Sequence, residues 1–207
     1  MTRERFDQAA ATWDEKPLRL QLAAAVSGAM KKALPLNREM QALEIGCGTG
    51  LITTEMAPLL KEILATDTSD GMLAAIRAKI TTLPLTNITT RFLDLTADPL
   101  PLPAQSFDLI YSSMVFHHIK ETGKILQRCR ELLRRGGILS VADLAEEDGT
   151  FHEEMPDVAH FGFNPEKLSR LAQQAGFGTI TFRTVHVVSK EIKGEKRDYP
   201  IFLMTAR

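Results

Sequence analysis

The stretch Ala42-Leu43-Glu44-Ile45-Gly46-Cys47-Gly48-Thr49-Gly50 decides the fold. A short apolar run enters a glycine-rich turn, and helical spacing begins at Leu51. Strand, glycine turn and helix in that order are how an open α/β sheet holds a nucleotide-like ligand. Glycine lets the ligand approach the backbone, and binding occurs at the carboxyl ends of strands where strand order reverses. A dinucleotide site follows GxGxxG, with its pyrophosphate at the helix N-terminus. Here the pattern is ExGxGxG: Gly50 arrives one residue early, and Glu44 stands two residues before Gly46. A carboxylate at that place repels a pyrophosphate and suits a cationic ligand.

Further carboxylates recur at strand ends. Ile63 to Thr66 reads as a strand that ends at Asp67, where an acidic side chain accepts both hydroxyls of a ribose. Ser69 caps the next helix, Asp70 to Ile80, and Asp70 adds charge to its first turn. Met72 on that helix packs either against an adenine face or into the core. Thr89 to Leu93 is strand-like and ends at Asp94, placed to accept from an adenine amino group. Ammonium, ribose and adenine in that order describe S-adenosylmethionine, whose sulfonium adds a second positive charge. None of the three carboxylates suits a pyrophosphate, which opposes a nicotinamide-dependent oxidoreductase.

Helix and strand patterns alternate through the rest of the chain. Leu18, Leu22, Val26 and Met30 have helical spacing, opened by Pro17. Phe107 to Tyr111 reads as a strand. Glu121 to Arg134 reads as a helix ended by Gly136-Gly137, and Ile138 to Ala142 as the next strand. Asn164 and Pro165 open a helix that Gly176 stops. Thr179 to Ile192 and Tyr199 to Thr205 are β-rich, joined by a hairpin at Lys193-Gly194. The expected fold is α/β: a mostly parallel sheet covered on both faces, with an antiparallel edge from the closing hairpin.

With 207 residues, the chain suits one domain. Its divisions are an N-terminal helical cap (1–36), a cofactor-binding core (37–145), a substrate-side loop (146–163), and a helix with the C-terminal hairpin (164–207). The net charge of −1 gives no basic surplus for nucleic acid. The basic groups at Lys31-Lys32, Arg134-Arg135 and Lys193 to Arg197 read as solvated helix ends and a hairpin tip. Two cysteines without a CxxC pair, an N-terminus with no apolar signal region and no membrane-length apolar run lead to a cytoplasmic expectation. Oligomeric state is not legible.

The ordered motifs LEIGCGTG, ATDTSDGML, FLDLTADPLPLPAQSFDLIYSSMVFHHI and LLRRGGILSVAD resemble those of class I S-adenosylmethionine-dependent methyltransferases. They are most similar to the small-molecule group that includes ubiquinone- and menaquinone-type enzymes, over residues from about 40 to 145. The resemblance implies a Rossmann-like three-layer sandwich with seven strands, the last reversed. It implies that Glu44 and the turn Gly46-Cys47-Gly48 face the methionine portion, and that Asp67 with Thr68 holds the ribose. Asp94 and Leu95 then contact adenine, and Ser112 and Ser113 line the pocket with backbone groups. Phe6 to Asp14 resembles this group's cap, in which Trp13 covers the cofactor through cation–π attraction or else staples a terminal helix. S-Adenosylhomocysteine would be the product, and a small molecule the methyl acceptor.

Catalytic residues are less defined. His117-His118 read as a loop pair, as a general base or, least of all, as metal ligands, because adjacent residues point apart; no metal site is expected. His160 stands behind them as a base candidate. His152 with Glu153-Glu154 is faintly metal-like but suits a solvated loop. Phe116, Phe161 and Phe163, with Met155 nearby, suggest an apolar acceptor wall. Cys47 reads as a packing residue of the turn, not a nucleophile. A non-catalytic cofactor-binding module remains the alternative to an enzyme.

Overall fold

The computed structural model describes residues 2–152 and 158–207, so Glu153, Glu154 and Met155 of the loop lie outside the described residues. The strands are β1 (Gln41–Ile45), β2 (Glu62–Asp67), β3 (Ile88–Phe92), β4 (Phe107–Ser113), β5 (Leu133–Leu144), β6 (Ile180–Ile192) and β7 (Glu195–Ala206). The helices are α1 (Thr2–Ala9), α2 (Pro17–Ala33), α3 (Leu51–Met56), α4 (Asp70–Thr81), α5 (Thr122–Leu132) and α6 (Pro165–Gln174). Together the strands form one sheet in the order β3-β2-β1-β4-β5-β7-β6. The first five run parallel; β7 is antiparallel to both β5 and β6. This is the expected Rossmann-like arrangement, with the reversed strand in the closing hairpin.

Alternation along the strands divides the core between the two faces. On one, Val26 and Met30 of α2 pack with Ala42, Ile63 and Tyr111. On the other, Leu43 and Ile110 pack with Ile125 and Cys129 of α5 and Leu168 of α6. Both faces are buried, as a parallel sheet requires. Local chemistry sets the helix starts. Ser69 Oγ accepts from Met72 N at 3.1 Å, and Asn164 Oδ1 accepts from Glu166 N and Lys167 N at 3.0 and 3.2 Å. Each such cap is worth about 1 kcal/mol.

One boundary differs from the pattern. Helix α5 stops at Leu132, and Gly136-Gly137 lie inside β5 rather than ending a helix. Gly136 has φ +78°, and the β4–β5 register jumps from Phe107↔Leu133 to Leu109↔Ile138. The glycine pair absorbs a bulge between strands, a second use of positive φ that sequence alone does not separate from a helix stop. Among the described residues no helix is long and apolar enough to cross a membrane.

Candidate functional site

Chain order reverses between β1 and β4, and the crevice beyond their carboxyl ends is where open α/β sheets bind ligands. The glycine turn leaves β1 here. Gly46, Gly48 and Gly50 all have positive φ, at +71°, +54° and +83°. A Cβ on Gly46 would lie 2.3 Å from Val115 Cγ2, whereas one on Gly48 would meet nothing within 4 Å. Gly46 therefore packs the turn against the segment after β4, and Gly48 leaves a bare backbone facing open space.

Asp67, at the end of β2, ties this turn to the next one. Its Oδ2 accepts from Gly48 N at 2.8 Å and its Oδ1 from Ser69 N at 2.9 Å. Burial raises its carboxyl above the usual range, against the pull of these backbone donors. Glu44 lies deeper, only 3% exposed. Its Oε2 accepts from Thr53 Oγ1 at 2.5 Å and Tyr111 OH at 3.0 Å. Burial pushes the Glu44 carboxyl up to about 8, opposing those two hydroxyls, with Asp67 adding to the rise. Thr53 and Tyr111 are thus site residues that the sequence did not reveal. Tyr111 stands opposite Glu44 in the β1–β4 register.

The other predicted positions fall into two sets. Thr68 is exposed at the mouth of the turn, while Met72 and Leu95 are buried. Asp94 is exposed, its Oδ1 turned onto Thr96 N and Oγ1 at 2.8 and 2.7 Å. Ser112 is buried with its hydroxyl donating to Ile45 O at 2.8 Å, so only its backbone is available to line a pocket. Ser113 is half-buried, and the next residue, Met114, is left-handed at φ +57°. Such a conformation in a non-glycine residue is uncommon and clusters at functional sites. Cys47 is buried, and burial drives its thiol pKa well up, which suits a packing residue.

The N-terminal segment reaches the same end of the sheet. Asp7 Oδ1 accepts from Ser69 Oγ at 2.6 Å and Gly71 N at 2.8 Å. Asp14 accepts from Thr49 Oγ1 at 2.6 Å and Lys79 Nζ at 2.7 Å. Both acidic residues therefore fasten this segment across the two turns. Trp13 is half-buried, with the Arg19 guanidinium 3.5 Å from its ring centroid and Phe6 at 5.8 Å.

Beyond β4 lie the histidines. His117 is buried, and its Nδ1 is 2.7 Å from Oδ1 of Asp143, a fully buried residue on β5. His118 packs against His117 and Phe6. His152, from the loop after β5, stacks on His117 with centroids 4.7 Å apart. His160 is placed differently: its Nε2 donates to Ile119 O at 2.9 Å, which makes it a loop staple. Phe116 and Phe163 are also drawn inward, into the core layer beneath α5, leaving Phe161 exposed. Asp143 shared the strand-end signal of Asp67 and Asp94; His152 needed the folded loop.

Comparison with known proteins gives this geometry a family. Residues 43–141 match the family model described as a methyltransferase domain. An uncharacterised methyltransferase of Schizosaccharomyces pombe is 32% identical over 66% of this chain and 52% of its own length. The chain thus spans about half of that relative. A ubiquinone biosynthesis O-methyltransferase of Dinoroseobacter shibae is 24% identical over 90% of this chain and 79% of its own. Among solved structures, the methyltransferase in complex with the Trm112 activator from Haloferax volcanii has a TM-score of 0.82 at 14% identity, covering 100% of this chain and 96% of its own. DhpI, in complex with S-adenosylhomocysteine, has a TM-score of 0.74 at 18% identity over 99% and 93%. Sheet order, glycine turn and these likenesses together place the chain among the class I S-adenosylmethionine-dependent methyltransferases.

Proposed function

We propose that the protein transfers the methyl group of S-adenosylmethionine to a small-molecule acceptor. The observation that carries this reading is Asp67. It sits at the switch-point end of β2, tied through Gly48 N and Ser69 N to both turns, with Glu44 buried beneath. The donor set fits the cofactor. A carboxyl held near pH 8 by burial regains its charge beside an ammonium or sulfonium. Gly48 offers bare backbone facing open space. When bound, S-adenosylmethionine supplies a methyl on a positively charged sulfur, already activated.

In this reading Glu44 and Gly46-Cys47-Gly48 face the methionine portion. Asp67 and Thr68 take the ribose, Asp94, Leu95 and Met72 border the adenine, and Ser112 and Ser113 offer backbone. Trp13 belongs to the cap (1–36) that closes over the core (37–145). The loop 146–163 and the closing helix and hairpin (164–207) form the acceptor side. The protein aligns the acceptor and excludes water, an alignment worth several kcal/mol. Two buried, unpaired thiols suit a reducing compartment, and we assign the cytoplasm.

Calorimetry with S-adenosylhomocysteine should show one site, and labelled S-adenosylmethionine should mark an acceptor in a metabolite extract. No binding by the intact protein, or binding of NAD in its place, would contradict the reading. Binding without transfer to any acceptor would favour a non-catalytic module. The Haloferax neighbour was solved with a Trm112 activator; transfer that appears only with such a protein added would move the assignment toward an activator-dependent enzyme.

A further inference from the structure

We propose that the acceptor is a planar, hydroxyl-bearing ring bound at the His117–Asp143–His152 cluster, with His117 Nε2 taking the hydroxyl proton and His152 hydrogen-bonding the acceptor. This rests on the methyl-transfer reading above.

The first observation concerns His117. Asp143 Oδ1 lies 2.7 Å from His117 Nδ1 and accepts from Leu144 N at 2.7 Å, while Oδ2 accepts from His117 N at 3.3 Å. A carboxylate held this way fixes the imidazole hydrogen on Nδ1 and leaves the Nε2 lone pair as a base. His160 spends its Nε2 on Ile119 O. A neutral amine needs no base to take a methyl group, whereas a hydroxyl must lose its proton. An oriented base at the β4 end therefore selects a proton-bearing acceptor atom.

The second observation is His152. It is 7% exposed, and its Nε2 is buried without a hydrogen-bond partner among the described residues. Orphaned buried polar atoms are rare in native folds and call for a partner. Burial, followed by the neighbouring His117 and His118, holds this imidazole down to about 3, so it stays neutral. It serves as a dipolar contact rather than a counter-charge.

The third is the shape of the surroundings. Phe6 meets His118 at 5.5 Å, His118 meets His117 at 4.1 Å, His117 meets His152 at 4.7 Å, and His152 meets Phe151 at 4.8 Å between centroids. Three separate segments thus bring flat rings into one ladder, which favours a planar ring as its guest. In the transfer, the acceptor's O–H proton passes to His117 Nε2. The oxygen forms its bond to the methyl carbon, the carbon–sulfur bond breaks, and sulfur keeps the pair as a neutral thioether. The imidazolium then returns its proton to solvent.

4-Nitrophenol tests this without turnover, because its absorbance separates phenol from phenolate. The groups facing His117 are Asp143, His118 and His152, with Lys190 of β6 reaching over Phe151. Added to protein saturated with S-adenosylhomocysteine, the probe should bind and give its phenolate band about one pH unit below free probe. D143N should abolish that shift and D143E restore some of it, with thermal melts confirming the fold. H152Q should weaken probe binding about tenfold but keep the shift. H186Q, on β6, should change neither. Imidazole nitrogen NMR of the wild-type protein should find His117 neutral with its hydrogen on Nδ1, whether or not the variants fold. S-Adenosylhomocysteine binding without probe binding would overturn the acceptor class and leave the cofactor reading intact. A bound probe with an unshifted band, or a hydrogen on His117 Nε2, would overturn the base. Failure to bind S-adenosylhomocysteine at all would overturn the underlying reading instead.

Discussion

The two ends of this crevice are built by different means. At the β1–β2 end the site is backbone: glycines at positive φ and amide groups gathered by Asp67, all within residues 44–71. At the β4–β5 end it is side chain: His117, Asp143, His152 and Phe6 come from four distant segments and meet only in the fold. A common cofactor can be met by a local, fixed geometry. An acceptor peculiar to one enzyme needs adjustable side chains on loops.

Breaking the first end should give the largest effect. Asp67→Ala removes the proposed ribose acceptor and orphans two backbone donors; calorimetry should show S-adenosylhomocysteine affinity falling roughly a thousandfold. Next comes Glu44. In the unfolded chain it releases its proton near the ordinary glutamate value of 4.5, but in the fold it holds it until about pH 8. Stability should therefore fall as pH rises through that window, by roughly 5 kcal/mol across it. Glu44→Gln, which keeps an acceptor for Thr53 and Tyr111, should flatten the drop in thermal melts. If the ligand's ammonium lies beside Glu44, binding at pH 7 should also release a proton, read from calorimetry in buffers of different ionisation enthalpy.

Smaller effects sharpen the contrast within the turn. Gly46→Ala carries both left-handed strain and the clash with Val115, and should cost about 2 kcal/mol or more of stability. Gly48→Ala carries the strain alone, about 1 kcal/mol, yet should impair cofactor binding more than folding. Asp14→Ala unfastens the N-terminal segment from Thr49 and Lys79. Its partly exposed ion pair should cost under about 1 kcal/mol, while cofactor release becomes faster in stopped-flow measurements of Trp13 fluorescence.

That contrast also decides what was legible in the sequence. Gly46 to Gly50, Asp67, the Ser69 cap and the hairpin at Lys193-Gly194 declare themselves locally, because backbone conformation and capping depend on neighbours in the chain. Glu44 was legible as a carboxylate, but its burial under Thr53 and Tyr111 was not, since cross-strand register supplies Tyr111. Gly136-Gly137 looked like a helix stop because a bulge and a C-cap both use positive φ. Phe116 and Phe163 looked like a pocket wall, yet layer packing draws them under α5. His117 was visible as one of a pair; only the fold distinguishes it, by bringing Asp143 to its Nδ1.

The most direct measurement is a crystal structure with S-adenosylhomocysteine bound. The ribose hydroxyls should lie on Asp67, the amino group toward Glu44 beside Gly46 to Gly48, and the sulfur on the His117 side of the crevice. A ligand seated away from the β1–β4 switch point, or with its sulfur turned from His117, would contradict the account.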